Sequence, residues 1–267
     1  MTIAPNLAGA WRYRQFILSS IRAEIRARFT RSRLGGLWMI VHPLAQAAVF
    51  ALVLAEVMGA RLSGLSSDRF AYALYLLSGM LAWSLFSELV TRCLTLFIDN
   101  GNLLKKMPFP RICLPLIVTG SALLNNVLLL IAIIVVFAFS GHVPSVHLVW
   151  MPALMLLTLA VGLGVGLLVG VFNVFVRDVG QVVPVVLQFG FWLAPIAYTP
   201  DIVPPTLRRL LYLNPMTPIV RGYQDVMLFG RAPDAAGLAW LTVVALVLLG
   251  AALVLFRRAT PEMVDVL

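Results

Sequence analysis

"LVWMPALMLLTLAVGLGVGLLVGVFN", residues 148–173, contains no charged side chain. As a helix rising 1.5 Å per residue it would extend about 39 Å, enough to cross a hydrocarbon core of about 30 Å. Comparable apolar runs lie near 37–59, 71–95, 112–139, 182–199 and 237–256. Hydrophobic residues make up 61% of the 267, charged residues 12%, and mean hydropathy is +0.97. Soluble domains carry about twice that charged fraction. A membrane β-barrel would show segments of about ten residues alternating in polarity, and none is visible. The reading is an all-α, polytopic helical membrane protein with six transmembrane helices. Residues 200–236 are too interrupted for a seventh span. Gly162, Gly166 and Gly170 form a small-xxx-small ladder, expected to pack closely on another helix.

Organisation follows from charge. The predicted divisions are an N-terminal cytoplasmic segment (1–36), the membrane domain (37–256) and a short cytoplasmic tail (257–267). With both termini cytoplasmic, fourteen lysines and arginines fall inside and six outside, as the positive-inside rule requires. The first apolar run begins near Leu37, behind seven arginines, too late for a cleavable signal peptide. It is expected to be an uncleaved anchor. The net charge of +9 sits at membrane flanks, which suits anionic lipid headgroups; no nucleic acid partner is expected. Cys93 and Cys113 fit no metal or redox spacing and read as small apolar fillers.

Within the N-terminal segment, Ile17, Ile21, Ile25 and Phe29 recur every four residues, while Arg22, Arg26 and Arg33 take another face. That pattern predicts an amphipathic interface helix with its apolar stripe in the acyl boundary. Arg28 breaks the pattern. Gly35 and Gly36 permit a turn into the membrane at Trp38.

"DNGNLLKKMPFPR", from Asp99 to Arg111, holds both lysines of the chain, Lys105 and Lys106. An inside loop explains their charge without a special function.

Catalytic groups are scarce. There is no GxxxxGK[ST] phosphate loop, no HExxH, and no carboxylate cluster, so neither a catalytic nor a metal site is expected. His42, His142 and His147 all lie near predicted span ends. Glu56 is near the outer end of the first span. Glu88 stands four residues before Arg92 and either pairs with it along one helix face or lines a pathway. The architecture is that of a transporter with no energy source of its own.

Five stretches taken together carry a resemblance: "RFTRSRLGGLWMIVHPL" (28–44), "LLSGMLAWSLFSELVTRC" (76–93), "IDNGNLLKKMPFPRICLPL" (98–116), "NVFVRDVGQVVPVVLQFGFWLAPIAYTPDIVP" (173–204) and "LNPMTPIVRGYQDVM" (213–227). In this order they resemble the permease subunit of ABC-2 type polysaccharide exporters, the O-antigen and capsule exporter family, and O-antigen exporters most of all. The resemblance implies a homodimer bound to two copies of an ABC ATPase subunit. ATP and magnesium would sit on that partner, with no cofactor in this chain. It implies an inner-membrane location and a lipid-linked polysaccharide as cargo.

It further implies that the interface helix (Ile17, Ile21, Arg22, Ile25, Arg26) and the loop after span two contact the ATPase. Asn100 or Asn102 would cap a short helix there. Leu103, Leu104 and Met107 would dock, Asp99, Lys105 and Lys106 would flank them, and Pro108 and Pro110 would stiffen the link. Arg177 and Asp178 would add a lesser contact. Residues 198–230 resemble the family's re-entrant outer helices between spans five and six; read alone, they make an outer loop resting on the membrane.

A glycan path wants aromatic faces for pyranose rings, though aromatics also serve packing and membrane belts. The candidates are Tyr72, Tyr75, Trp83, Phe86, Phe191, Trp192 and Tyr198, with Glu88. Two other readings stand beside this one. An ABC-2 exporter of a lipid, drug or small molecule would show a closed lateral pocket. A membrane-embedded transferase would need converging catalytic residues.

Overall fold

In hydrocarbon a backbone without internal hydrogen bonds leaves polar groups stranded, so an apolar chain of this kind folds as helices. A computed structural model describes residues 11–30, 37–58, 69–106, 110–139, 141 and 145–266, and among them there is no strand. Gly35, Gly36, Arg33, Met107, Pro108 and His142 lie outside the described residues. So do the side chains of Arg28, Phe29, Glu56, Leu104 and Lys106.

The helices are α1 (Arg14–Thr30), α2 (Trp38–Met58), α3 (Arg69–Asp99), α4 (Gly101–Lys106), α5 (Cys113–Phe139), α6 (Met151–Phe175), α7 (Val179–Leu193), α8 (Pro205–Leu213), α9 (Met216–Met227) and α10 (Ala235–Val266). Short 3-10 turns at Val146–Trp150 and Pro200–Ile202 precede α6 and α8. Among the described residues, four stretches are long and apolar enough to cross a membrane: Ala71–Asp99, Cys113–Phe139, Val146–Phe175 and Ala235–Ala259. α2 has 21 residues with Pro43 inside it, and α7 has 15, about 22 Å of helix.

α3 and α6 form the centre. The expected glycine ladder packs there: a Cβ on Gly166 would come within 2.8 Å of Cys93 Cβ, and one on Gly170 would overlap the Cys93 carbonyl oxygen. Backbones this close require residues without side chains. Leu89 meets Gly162, and Phe97 lies beside Gly170, so the two helices run parallel. α5 runs antiparallel to α3: Ser121 bonds Arg92 while Asn126 reaches back to Leu81. α10 packs on the other side of α6 and stacks Phe256 on Phe97 at 5.3 Å. Cys93 and Cys113 are both fully buried fillers.

These directions gather α1, α4, the α6–α7 turn and the C-terminal part of α10 at one end of the bundle. α8, α9 and the 3-10 turns lie at the other.

Three elements differ from the sequence reading. The fifth apolar helix ends at Leu193 rather than near 199, and residues 194–197 run inward as buried, non-helical chain. Buried carbonyls need donors, and side chains supply them: Tyr72 to Ala197 O at 2.9 Å, Tyr75 to Tyr198 O at 2.9 Å, and Gln224 to Pro195 O at 3.0 Å. α9 is not a surface piece. Ten of its twelve residues are buried, against α3 and α6. α10 continues past 256 through Arg257 and Arg258 to Val266.

Candidate functional site: a cleft with an aromatic wall

α2, α3, α5 and α7 enclose a cleft of about 900 Å³. One wall is aromatic. Phe191 meets Trp192 edge-on at 5.5 Å, Phe50 at 5.9 Å and Trp83 at 6.1 Å. The indole of Trp83 packs under α7 because position 190 is glycine; a Cβ there would lie 2.9 Å from Trp83 Cη2.

The floor is polar. Ser84, Ser87, Glu88, Thr91, Arg92, Asn125 and Asn126 line it. Asn126 Nδ2 donates to Leu81 O at 2.9 Å and Asn125 Nδ2 to Glu88 Oε1 at 2.7 Å. Hydroxyls and amides beside aromatic faces offer both halves of sugar recognition: hydrogen bonds in the ring plane and apolar contact on its face.

Of the expected path residues, Trp83, Glu88, Phe191 and Trp192 come together in this cleft. Phe86 stands behind the wall, 8% exposed, its ring 5.4 Å from that of Trp83. Tyr72 and Tyr75 do not reach the cleft; both are buried and hold the inward chain after α7. Tyr198 donates to Trp192 O at 3.0 Å from the same turn.

The expected Glu88–Arg92 pair forms at 3.4 Å, but the shorter partner of Arg92 is Glu24, at 2.6 Å. α1 therefore lies against the bundle. Ile21 is buried over Gly120 of α5, whereas the sequence reading put its stripe in the lipid boundary. Ile17 and Ile25 are half-buried, and Arg22 and Arg26 are exposed.

In the α3–α5 connection the expected short helix is α4. Asn100 serves the preceding helix, with Nδ2 donating to Leu96 O at 2.8 Å. Asp99, Asn102 and Lys105 are exposed, while Leu103 leans on the core. Arg177 and Asp178 are exposed in the α6–α7 turn.

Sequence reasoning missed Glu24, Asn125, Asn126, Phe50 and Gly190. Asn125 and Asn126 stood out as two amides inside an apolar run, and Glu24 is the sole carboxylate of α1.

At the opposite end a smaller cavity of about 250 Å³ lies between α8, α9 and α10. Its charged groups are engaged by the chain itself. Arg221 bonds the Tyr212 hydroxyl at 3.1 Å, Asp225 pairs with Arg231 at 2.6 Å, and Asp234 accepts from the Gly237 N–H at 2.9 Å.

Comparison with known proteins places this architecture. The chain is 30% identical to the O-antigen export system permease protein RfbA of Myxococcus xanthus over 257 residues, 96% of each chain. It is 28% identical to a Klebsiella pneumoniae protein of the same name, over 78% of each chain. To the polysialic acid transport protein KpsM of Escherichia coli it is 23% identical over 90% of this chain and 92% of the other. The profile of the ABC-2 type transporter family matches residues 15–228, and this multi-pass membrane protein belongs to that family.

Proposed function

We propose that this chain is the channel-forming permease of an ATP-driven exporter that carries a lipid-linked polysaccharide, of O-antigen or capsule type, across the inner membrane. The carrying observation is the cleft: an aromatic wall over a floor of amides and hydroxyls, inside an apolar bundle. The names of its relatives support the same cargo.

One copy builds only part of a tube. α7 buries none of its residues within the chain and exposes Val182, Val185, Val186 and Phe189. A second copy facing the α2–α7 side closes the cleft into a channel. The six-span arrangement follows if α2 and α7 cross with the four longer helices, and α8–α9 then enter and leave from the outer side as a re-entrant pair. Both termini, α4 and the α6–α7 turn face the cytoplasm, where two ATPase subunits dock. ATP and its magnesium bind there. Nucleotide-driven closure of those subunits pushes on α1 and α4, and the channel admits the glycan residue by residue. Aromatic faces suit this task because they hold each ring weakly and without demanding one sugar.

The test is co-expression with the cognate ABC ATPase and purification through a tag on this chain, followed by reconstitution in vesicles. The expected result is a stoichiometric complex that hydrolyses ATP and moves lipid-linked glycan. A folded permease that retains no host ABC ATPase overturns the reading.

A further inference from the structure

Arg92 of α3 is held from several sides. Nη2 donates to Glu24 Oε1 of α1 at 2.6 Å, and Nη1 donates to Ser121 Oγ of α5 at 2.7 Å. Glu88 Oε1, one turn back on α3, accepts from both Arg92 Nη1, at 3.4 Å, and Asn125 Nδ2, at 2.7 Å. Glu88, Arg92 and Asn125 line the cleft, while Glu24 sits on α1, 68 residues away in sequence. The side chains of Arg92, Glu24 and Glu88 are only 21%, 28% and 26% exposed. In such a setting a guanidinium cannot lose one carboxylate cheaply unless another replaces it. The replacement is in place, because Glu88 and Arg92 are i,i+4 neighbours. Arg92 is thus shared between two carboxylates, the nearer on α1 and the farther on its own helix.

α1 in turn has a defined seat. Ile21 is its buried contact on α5, and it occupies the space that a side chain at position 120 would need.

We infer that Arg92 is a positioning residue that converts displacement of α1 into a change at the floor of the cleft. The inference rests on the exporter reading, which makes α1 an ATPase-docking helix. With α1 seated, Glu24 holds Arg92 and Asn125 stays tied to Glu88. When nucleotide-driven closure of the ATPase displaces α1 from its seat, Arg92 shortens its existing contact with Glu88 and competes more strongly for the oxygen that Asn125 uses. The Asn125 amide then turns its N–H to the cleft, where it donates to a sugar hydroxyl. Coupling requires two discrete states of this link, Arg92 held by Glu24 or drawn onto Glu88; mere proximity along a line would not suffice.

The test follows the cleft rather than the cargo. In the full permease–ATPase complex in nanodiscs, Ser87→Cys places a thiol on the cleft floor, where native Cys93 and Cys113 are fully buried and silent. Its labelling by a cationic methanethiosulfonate reagent is timed with and without a non-hydrolysable ATP analogue. The expected result is a nucleotide-dependent change of about fivefold or more in Ser87→Cys. That change should disappear in Ser87→Cys/Glu24→Gln, although the complex still assembles and hydrolyses ATP. Gly120→Leu, whose side chain fills the space that Ile21 occupies and leaves every charge in place, should abolish it too. A nucleotide response that survives Glu24→Gln overturns the inference, as does an absent response in the parent Ser87→Cys complex. A response that behaves as expected, in a complex that exports no polysaccharide, removes the cargo assignment and leaves the Arg92 link standing.

Discussion

The indole of Trp83 lies directly over Gly190, so close that a methyl group on α7 at that point would sit 2.9 Å from Cη2. The aromatic wall of the cleft depends on this missing side chain. Gly190→Ala should wedge α7 away from α3 and lower stability by about 1–3 kcal/mol, the usual cost of overpacking. Thermal unfolding of the purified protein measures it. Because the clash is with one ring, Gly190→Ala should cost nothing further in a Trp83→Ala background. Equal costs in both backgrounds would place the strain elsewhere.

The ladder on α6 makes a sharper case. A Cβ on Gly170 would meet the carbonyl of Cys93, which is backbone and cannot rotate away. Gly170→Ala should therefore cost about 3 kcal/mol or more, or prevent folding. Gly250→Ala is the control. Nothing lies within 4 Å of a Cβ there, so the change should be neutral or slightly stabilising through helix propensity. Size-exclusion profiles and melting curves of the two variants decide the matter.

Tyr75 separates a structural tyrosine from a path residue. Its hydroxyl bonds both Pro195 O, at 3.1 Å, and Tyr198 O, at 2.9 Å. Tyr75→Phe keeps the aromatic face and leaves Pro195 O to Gln224, but strands the partly buried carbonyl of Tyr198, at a cost of about 1–3 kcal/mol. Stability should fall while transport per folded complex stays near normal. Loss of transport at unchanged stability would return Tyr75 to the glycan path.

Docking of the ATPase at α4 is best probed where the side chain is free of the core. Leu103 packs on the bundle, so Leu103→Asp would confound folding with binding. Lys105 is exposed. Lys105→Glu should leave the melting temperature within the change typical of surface substitutions, about 0.5 kcal/mol, yet release the ATPase at lower salt. Co-purification at stepped ionic strength reads this out. Unchanged retention would remove Lys105 from the interface.

The long apolar runs made α3, α5, α6 and α10 legible, because composition and length alone specify a helix that can span. The glycine ladder was legible for a similar local reason. The end of α7 was not. Residues 194–197 leave the helix and are buried only because Tyr72, Tyr75 and Gln224, distant in sequence, supply donors. Read alone, α9 is an amphipathic piece bounded by prolines and too short to span, and it carries the polar Gln224 and Asp225. Its burial is possible because Pro195 O and Arg231 satisfy the last two. The same limit applies to the site. Trp83, Phe191 and Trp192 could be named from residue type, and the Glu88–Arg92 pair from i,i+4 spacing. Glu24 and Asn125 have partners 68 and 37 residues away, which no local pattern encodes.

If glycan passes along this cleft, it touches Phe191 during export, and photocrosslinking detects that contact. A benzophenone amino acid would replace Phe191 or, as the control, Phe139, which is 90% exposed on the apolar exterior. Complexes actively exporting labelled glycan would be illuminated. Glycan adducts are expected at position 191 and none at 139. Export without an adduct at 191, or with equal adducts at both positions, would contradict passage along the cleft.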